Sequence, residues 1–146
     1  MIKDMLPDLY AQEPYFYDGM RVQELASKIH NLMKDYDLPK MMYNAFEYLP
    51  QVVMNPHTAF QHLIKGKTKL IRMRDMLGYT SAVMVLPYPP GVPLIMPGEK
   101  ITEQSRAVLD YLIMLEEIGL KIPGFATDIH GVEQSITGEL MIKVIM

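Results

Sequence analysis

The sequence predicts a single α+β domain, with helices first and then a mostly antiparallel sheet carrying one long helix. Three observations predict it. Apolar residues at helical spacing, with cap and stop signals, fill residues 20–66. Extended, β-branched runs replace that spacing from residue 68 onward, and the last residues alternate with period two. A length of 146 residues with 49% hydrophobic and 21% charged residues suits one core and excludes disordered, collagen-like and coiled-coil classes.

Residues 1–19 hold Pro7, Pro14 and Gly19 among Tyr10, Tyr15, Phe16 and Tyr17, and are expected to be an irregular lead-in packed against a partner. Over residues 20–36, Val22, Leu25, Ala26, Ile29, Leu32, Met33 and Tyr36 fall on one helical stripe. Asp37 before Leu38-Pro39 reads as an N-cap for a second helix through Met42, Phe46 and Leu49, ended by Pro50. Asn55-Pro56 repeats the signal for a third helix, which Gly66 closes. Residues 68–74 and 80–86 are expected to be strands joined by a turn at 75–78. Five prolines and two glycines in residues 86–99 exclude helix there and leave room only for a short strand at 92–96. Thr102 is expected to cap a long helix to Glu117, with Gly119 ending it. A hairpin turning at Thr137-Gly138 leads to a strand with Leu140, Ile142 and Val144 on one face.

Charge and composition exclude several functions. A net charge of −3 without a basic stripe argues against nucleic acid. No apolar run is long enough to span a bilayer, and the acidic start Met1-Ile2-Lys3-Asp4 does not resemble a signal peptide, so a cytoplasmic location is expected. The absence of cysteine removes disulfides, thiolate nucleophiles and thiolate zinc sites. His57 and His62 are five apart, one more than a helical metal pair needs, so no metal is expected. Fourteen methionines suit a core or a subunit contact.

The block "LPYPPGVPLIMPGE" at 86–99, followed by "ITEQSRAVLDYLIMLEEIG" at 101–119 and "PGFATDIHG" at 123–131, resembles the C-terminal domain of the fold-type I lysine/arginine/ornithine decarboxylases. "LPDLYAQEPYFYDGMRVQELASKIHNLM", "AFEYLP" and "MNPHTAFQ" are similar to the stretch that precedes it, so the resemblance covers nearly all of residues 1–146 in order. "ITEQSR" and "TDIHG" look more like the acid-induced lysine and arginine enzymes than the ornithine ones.

The resemblance implies a parent enzyme that turns lysine into cadaverine, or arginine into agmatine. Its pyridoxal phosphate is held by a lysine that directly follows a histidine and serves as the electron sink when carbon dioxide departs. Here Asn31 follows His30, Thr58 follows His57, Leu63 follows His62 and Gly131 follows His130. The chain is therefore expected to bind no cofactor and to be inactive alone. The implied partners are the cofactor domain of the same enzyme, a homo-oligomer built from dimers, and a basic amino-acid substrate. Met1 is then either a natural start or a boundary inside a longer polypeptide. A stand-alone regulatory or interaction module of the same fold is the alternative. Tyr79 departs from the arginine usual after Gly78 in those enzymes.

Four residues are candidates for the substrate entrance. Glu99 is expected at the start of the long helix, where a carboxylate would attract a dicationic substrate or simply complement the helix dipole. Asp128 and His130, two apart on an expected strand, point to one side as an acid/base pair or a structural hydrogen bond. Tyr88 either lines a pocket or packs on prolines. Asp110, Glu116 and Glu117 are expected to be a solvated helix face.

Overall fold

The computed structural model describes residues 1–88, 90–124 and 128–146. The chain opens with α1 (Ile2–Met5), α2 (Pro7–Gln12) and α3 (Pro14–Tyr17), so the lead-in is helical rather than irregular. Pro7 and Pro14 each sit in the first turn of a helix, where a fixed φ helps and the missing N–H costs nothing. The residue before each proline is pushed out of the helical region, Leu6 to φ −134° and Glu13 to φ −143°, which chops the segment into single turns. Its partner lies within the chain: Ile2, Tyr17 and Met20 pack with Leu25 of α4 (Val22–Asp35) and with Ile122 in a small core of their own. The Tyr17 hydroxyl donates to the Pro123 carbonyl across that core.

α5 (Leu38–Glu47) follows after Asp37, which adopts φ 49° and makes no side-chain cap. Asp37 acts through its backbone carbonyl, which accepts the Met41 N–H at 3.0 Å, and the helix stops before Leu49. In α6 (Pro56–Ile64) the Asn55 side chain does cap, accepting the Thr58 N–H at 2.8 Å, and Gly66 at φ 66° reverses the chain as expected.

The sheet departs from a simple hairpin. β2 (Thr68–Arg72) ends in a 3₁₀ turn, Met73–Asp75, and pairs antiparallel with β7 (Leu140–Ile145), not with residues 80–86. The Ser81 hydroxyl donates to the Val83 carbonyl at 2.6 Å and accepts the Val83 N–H at 3.2 Å, a local turn that competes with strand pairing. Residues 80–82 nevertheless run along β7, with the Ala82 N–H on the Lys143 carbonyl at 3.0 Å and the Ile145 N–H on the Thr80 carbonyl at 2.9 Å. β4 (Glu99–Lys100) lies outside them through the bridge Thr80–Lys100, and β1 (Gln51–Val52) pairs with β4. The expected strand at 92–96 is reduced to one bridge, Val85–Ile95. β3 (Leu86–Tyr88) pairs instead with β5 (Asp128–His130). β6 (Glu133–Gln134) turns through Gly138 at φ 85° into β7, the hairpin the sequence predicts.

α7 (Arg106–Lys121) is the centre of the main core. Thr102 does not cap the helix: Ser105 stands at its N-cap, and the Ser105 Oγ reaches back to accept the Thr102 N–H at 2.9 Å, while Gly119 lies inside the helix. Packing overrides the helix cost of about 1 kcal/mol for an interior glycine, because Ile118 and Ile122 on either side are both buried. Val108, Leu109, Leu112 and Ile118 of α7 pack with Ile142 and Val144 of β7 and with Met73 and Met76, so these two methionines are core. Each such side chain contributes about 1.5–3 kcal/mol relative to exposure.

Candidate functional site

β3 and β5 bring three of the four candidate residues together. Tyr88 stands directly opposite Asp128, and Leu86 opposite His130, so Tyr88, Asp128 and His130 share one face of this two-stranded ribbon. Asp128 Oδ2 lies 3.4 Å from His130 Nε2, an ion pair whenever the imidazole is protonated. All three are exposed, and the ribbon's other face buries Pro87. Gly131, at φ 89°, fixes where the ribbon sits: a Cβ there would be 1.7 Å from the Met84 carbonyl oxygen. Only glycine permits that approach. The Tyr88 ring covers Gly91, whose Cβ would lie 3.0 Å from it. Asp128 also borders a cavity of about 470 Å³ that includes Gln12, Glu116 and Gln134. Pro89 beside Tyr88, and residues 125–127 of the loop leading to Asp128, lie outside the described residues.

Glu99 is not at the start of the long helix, which begins seven residues later at Arg106. Glu99 lies on β4, where its Oε2 accepts the Met96 N–H at 2.7 Å, so it braces its own turn instead of complementing a helix dipole. Tyr79 carries the Lys69 ammonium 4.4 Å over its ring and accepts a hydrogen bond from it at 3.2 Å.

The expected solvated face of α7 is contradicted at Glu116. Its side chain is fully buried, and its two oxygens are both engaged, one by Arg74 and the other by the Leu140 N–H at 2.6 Å. The guanidinium of Arg74 is held above its ordinary pKa, first by its hydrogen bond to Glu116 and then by the charge of that carboxylate. Glu117 accepts the Tyr36 hydroxyl, which in turn accepts Lys121 Nζ at 2.8 Å; that bond raises the Lys121 pKa. Asp110 alone behaves as predicted, in an exposed pair with Arg106 at 3.7 Å. A signal for Glu116 existed: it continues the column Val108, Leu112 at four-residue spacing, so an acid there falls on the buried side.

The residues present do not fit pyridoxal phosphate. None of the lysines is buried, none follows a histidine, and no glycine-rich cradle opens onto a helix N-terminus among the described residues. No group of three or more His, Asp or Glu side chains that could hold a metal occurs among the described residues, and no helix there is long and apolar enough to cross a membrane.

Comparison with known proteins agrees with the proline-rich signature. The constitutive lysine decarboxylase of Escherichia coli strain K12 is 52% identical over 144 residues, which span 99% of this chain and 20% of that protein. The lysine decarboxylase of Hafnia alvei is 54% identical over 145 residues, again 99% and 20%. The constitutive ornithine decarboxylase of Escherichia coli strain K12 is 35% identical over 131 residues, 88% of this chain and 18% of that protein. The solved structure of the Escherichia coli constitutive lysine decarboxylase superposes with a TM-score of 0.91 at 52% identity, covering 99% of this chain and 20% of that one. Lysine decarboxylase A from Pseudomonas aeruginosa does so at 0.90 and 32% identity, with the same coverage. The chain thus spans about a fifth of the length of these relatives, 20% of the first two. The model of the family described as Orn/Lys/Arg decarboxylase, C-terminal domain, matches residues 39–146, and the chain belongs to that family.

Proposed function

We propose that residues 1–146 form the C-terminal domain of a cytoplasmic, pyridoxal-phosphate-dependent decarboxylase of basic amino acids, with lysine the preferred substrate and arginine the second choice. The observation that carries this reading is the 52% and 54% identity to two lysine decarboxylases over 99% of the chain, against 35% to an ornithine decarboxylase. The cofactor and its lysine belong to another part of the enzyme, since no residue set here suits them.

The domain's own contribution is to wall the substrate entrance and to help assemble an oligomer built from dimers. Asp128 with the Tyr88 ring opposite suits a primary ammonium, through charge attraction and contact with an aromatic face. His130 neutralises Asp128 when protonated and so modulates that attraction. Glu99 acts indirectly, holding the 96–99 turn. The assembly role is supported by an apolar surface on α5, where Leu38, Pro39, Met42, Tyr43 and Phe46 line a groove of about 710 Å³.

The test is a decarboxylation assay with lysine, arginine and ornithine. It compares the protein expressed from its full reading frame with the 146-residue chain alone. Carbon dioxide release from lysine by the former only, in the presence of pyridoxal phosphate, is expected. Release by the isolated chain would overturn the placement of the chemistry elsewhere. A reading frame restricted to this chain, with no decarboxylation, would favour a stand-alone interaction module.

A further inference from the structure

The corner between α6 and β2 carries an unused cluster of cationic and polar groups. Thr58 and His62, and Gln61 and Lys65, are pairs four residues apart and therefore neighbours on the last turns of α6. Gly66 reverses the chain, and the Lys67 N–H bonds the His62 carbonyl at 2.9 Å, which folds Lys67 back over that turn. These five residues line a cavity of about 180 Å³, some six times a water's share of about 30 Å³. No carboxylate lines it, and among the described residues none lies within 4 Å of a nitrogen of His62, Lys65 or Lys67. His62 Nδ1 is shielded from solvent and has no hydrogen-bond partner.

Lysines near a helix C-terminus ordinarily complement its dipole. That accounts for Lys65 but not for a buried imidazole nitrogen left without a partner. The carbonyls of Gln61, His62 and Leu63 each accept a backbone N–H, from Lys65, Lys67 and Gly66 respectively, and none of them is bonded to that nitrogen. With the imidazole proton on Nδ1, a group that accepts from it and tolerates two ammonium neighbours is an anion with several oxygens.

We infer that this corner is an oxyanion site that takes a phosphate group, either inorganic phosphate or a simple phosphate monoester. His62 Nδ1–H donates to one oxygen, Lys65 and Lys67 supply opposing charge, and the Thr58 hydroxyl and Gln61 amide donate to the remaining oxygens. The site is separate from the Tyr88–Asp128–His130 ribbon and does not depend on the decarboxylase reading.

Equilibrium dialysis against radiolabelled inorganic phosphate, and separately against glycerol phosphate, tests it on the protein from its full reading frame loaded with pyridoxal phosphate. Ionic strength is held constant with chloride. The unaltered protein should hold one phosphate more per chain than the K65Q/K67Q variant, in which affinity at this site falls about tenfold or more. His62→Phe, which keeps the ring and removes the donor, should lose the same phosphate while keeping both lysines. Uptake of only one of the two ligands would identify the source and support the site. Equal stoichiometry and affinity in all three proteins for both ligands would overturn it, as would unchanged binding in His62→Phe alone.

Discussion

The Glu116 carboxylate accepts the Leu140 backbone N–H at 2.6 Å, which fastens the middle of α7 to the first residue of β7. The same carboxylate holds Arg74 just beyond β2, so one side chain joins the long helix to both partners of the β2–β7 ladder. The β6–β7 hairpin carries its own turn, and this bond adds to the packing of Ile142 and Val144 against α7.

Glu116→Ala leaves the Leu140 N–H buried without a partner, while Arg74, 38% exposed at its side chain, can turn to water. The expected loss is therefore about 2–3 kcal/mol, below the 3–5 kcal/mol typical of breaking a fully buried pair. Arg74→Met should cost more, about 3–5 kcal/mol, because it leaves the Glu116 carboxylate buried without its counter-charge although the Leu140 bond survives. Urea unfolding checks both: a smaller shift in midpoint for Arg74→Met than for Glu116→Ala would contradict the assignment.

The two glycines with the closest backbone neighbours make a sharper contrast. At Gly131 and Gly98 a Cβ would lie 1.7 Å from the Met84 oxygen and 2.2 Å from the Met54 oxygen, with φ 89° at both. Gly66 also has positive φ, but a Cβ there meets nothing within 4 Å. Gly131→Ala and Gly98→Ala should each cost more than about 3 kcal/mol or yield insoluble protein, and Gly66→Ala about 1 kcal/mol. Soluble expression and thermal unfolding of the three variants decide the ranking.

Much of this architecture is legible in the sequence where a local rule acts alone. Asn55 caps, Gly66 and Gly138 turn, and the alternation of β7 matches its buried and half-buried faces. Local rules failed where a tertiary contact or a competing hydrogen bond prevailed. Ser81 bends what looks like a strand, Gly119 is retained within a helix by its buried neighbours, and Glu116 belongs to the core because Arg74 and the Leu140 N–H meet it there. The lead-in departs from expectation for a different reason: prolines spaced seven apart read as breakers, yet each also starts a helix. Of the candidate site, the shared side of Asp128 and His130 follows from period two, whereas the pairing of Tyr88 with Asp128 spans forty positions and has no local signal.

Alkaline conditions should weaken the fold in a defined direction. Burial raises the pKa of Tyr17 and Tyr111 above 10.0, and the Tyr36 hydrogen bond raises that of Lys121 above 10.5. Each group then holds its proton more tightly folded than unfolded. Its stabilisation is complete below the unfolded pKa and is lost as pH rises through the folded one. Stability should fall from about pH 10 upward. Tyr17→Phe begins about 1 kcal/mol lower, having lost the bond to Pro123, and declines less steeply. Urea midpoints across that range measure both, and an unchanged slope in Tyr17→Phe would remove Tyr17 from the account.

The entrance reading makes a prediction that a purely structural role for Asp128 does not share. Asp128 is 69% exposed and among the described residues pairs only with His130, so its charge acts on an approaching dication largely through solvent. Asp128→Asn in the full enzyme should lower kcat/KM for lysine by about threefold at low ionic strength, mainly through KM. The deficit should shrink toward nothing near 1 M salt, where charges are screened within about 3 Å. Tyr88→Leu removes the aromatic face but no charge, so its smaller deficit should persist at high salt. A loss in Asp128→Asn that is independent of salt, or that falls on kcat with KM unchanged, would place Asp128 in the scaffold of the ribbon and not at the entrance.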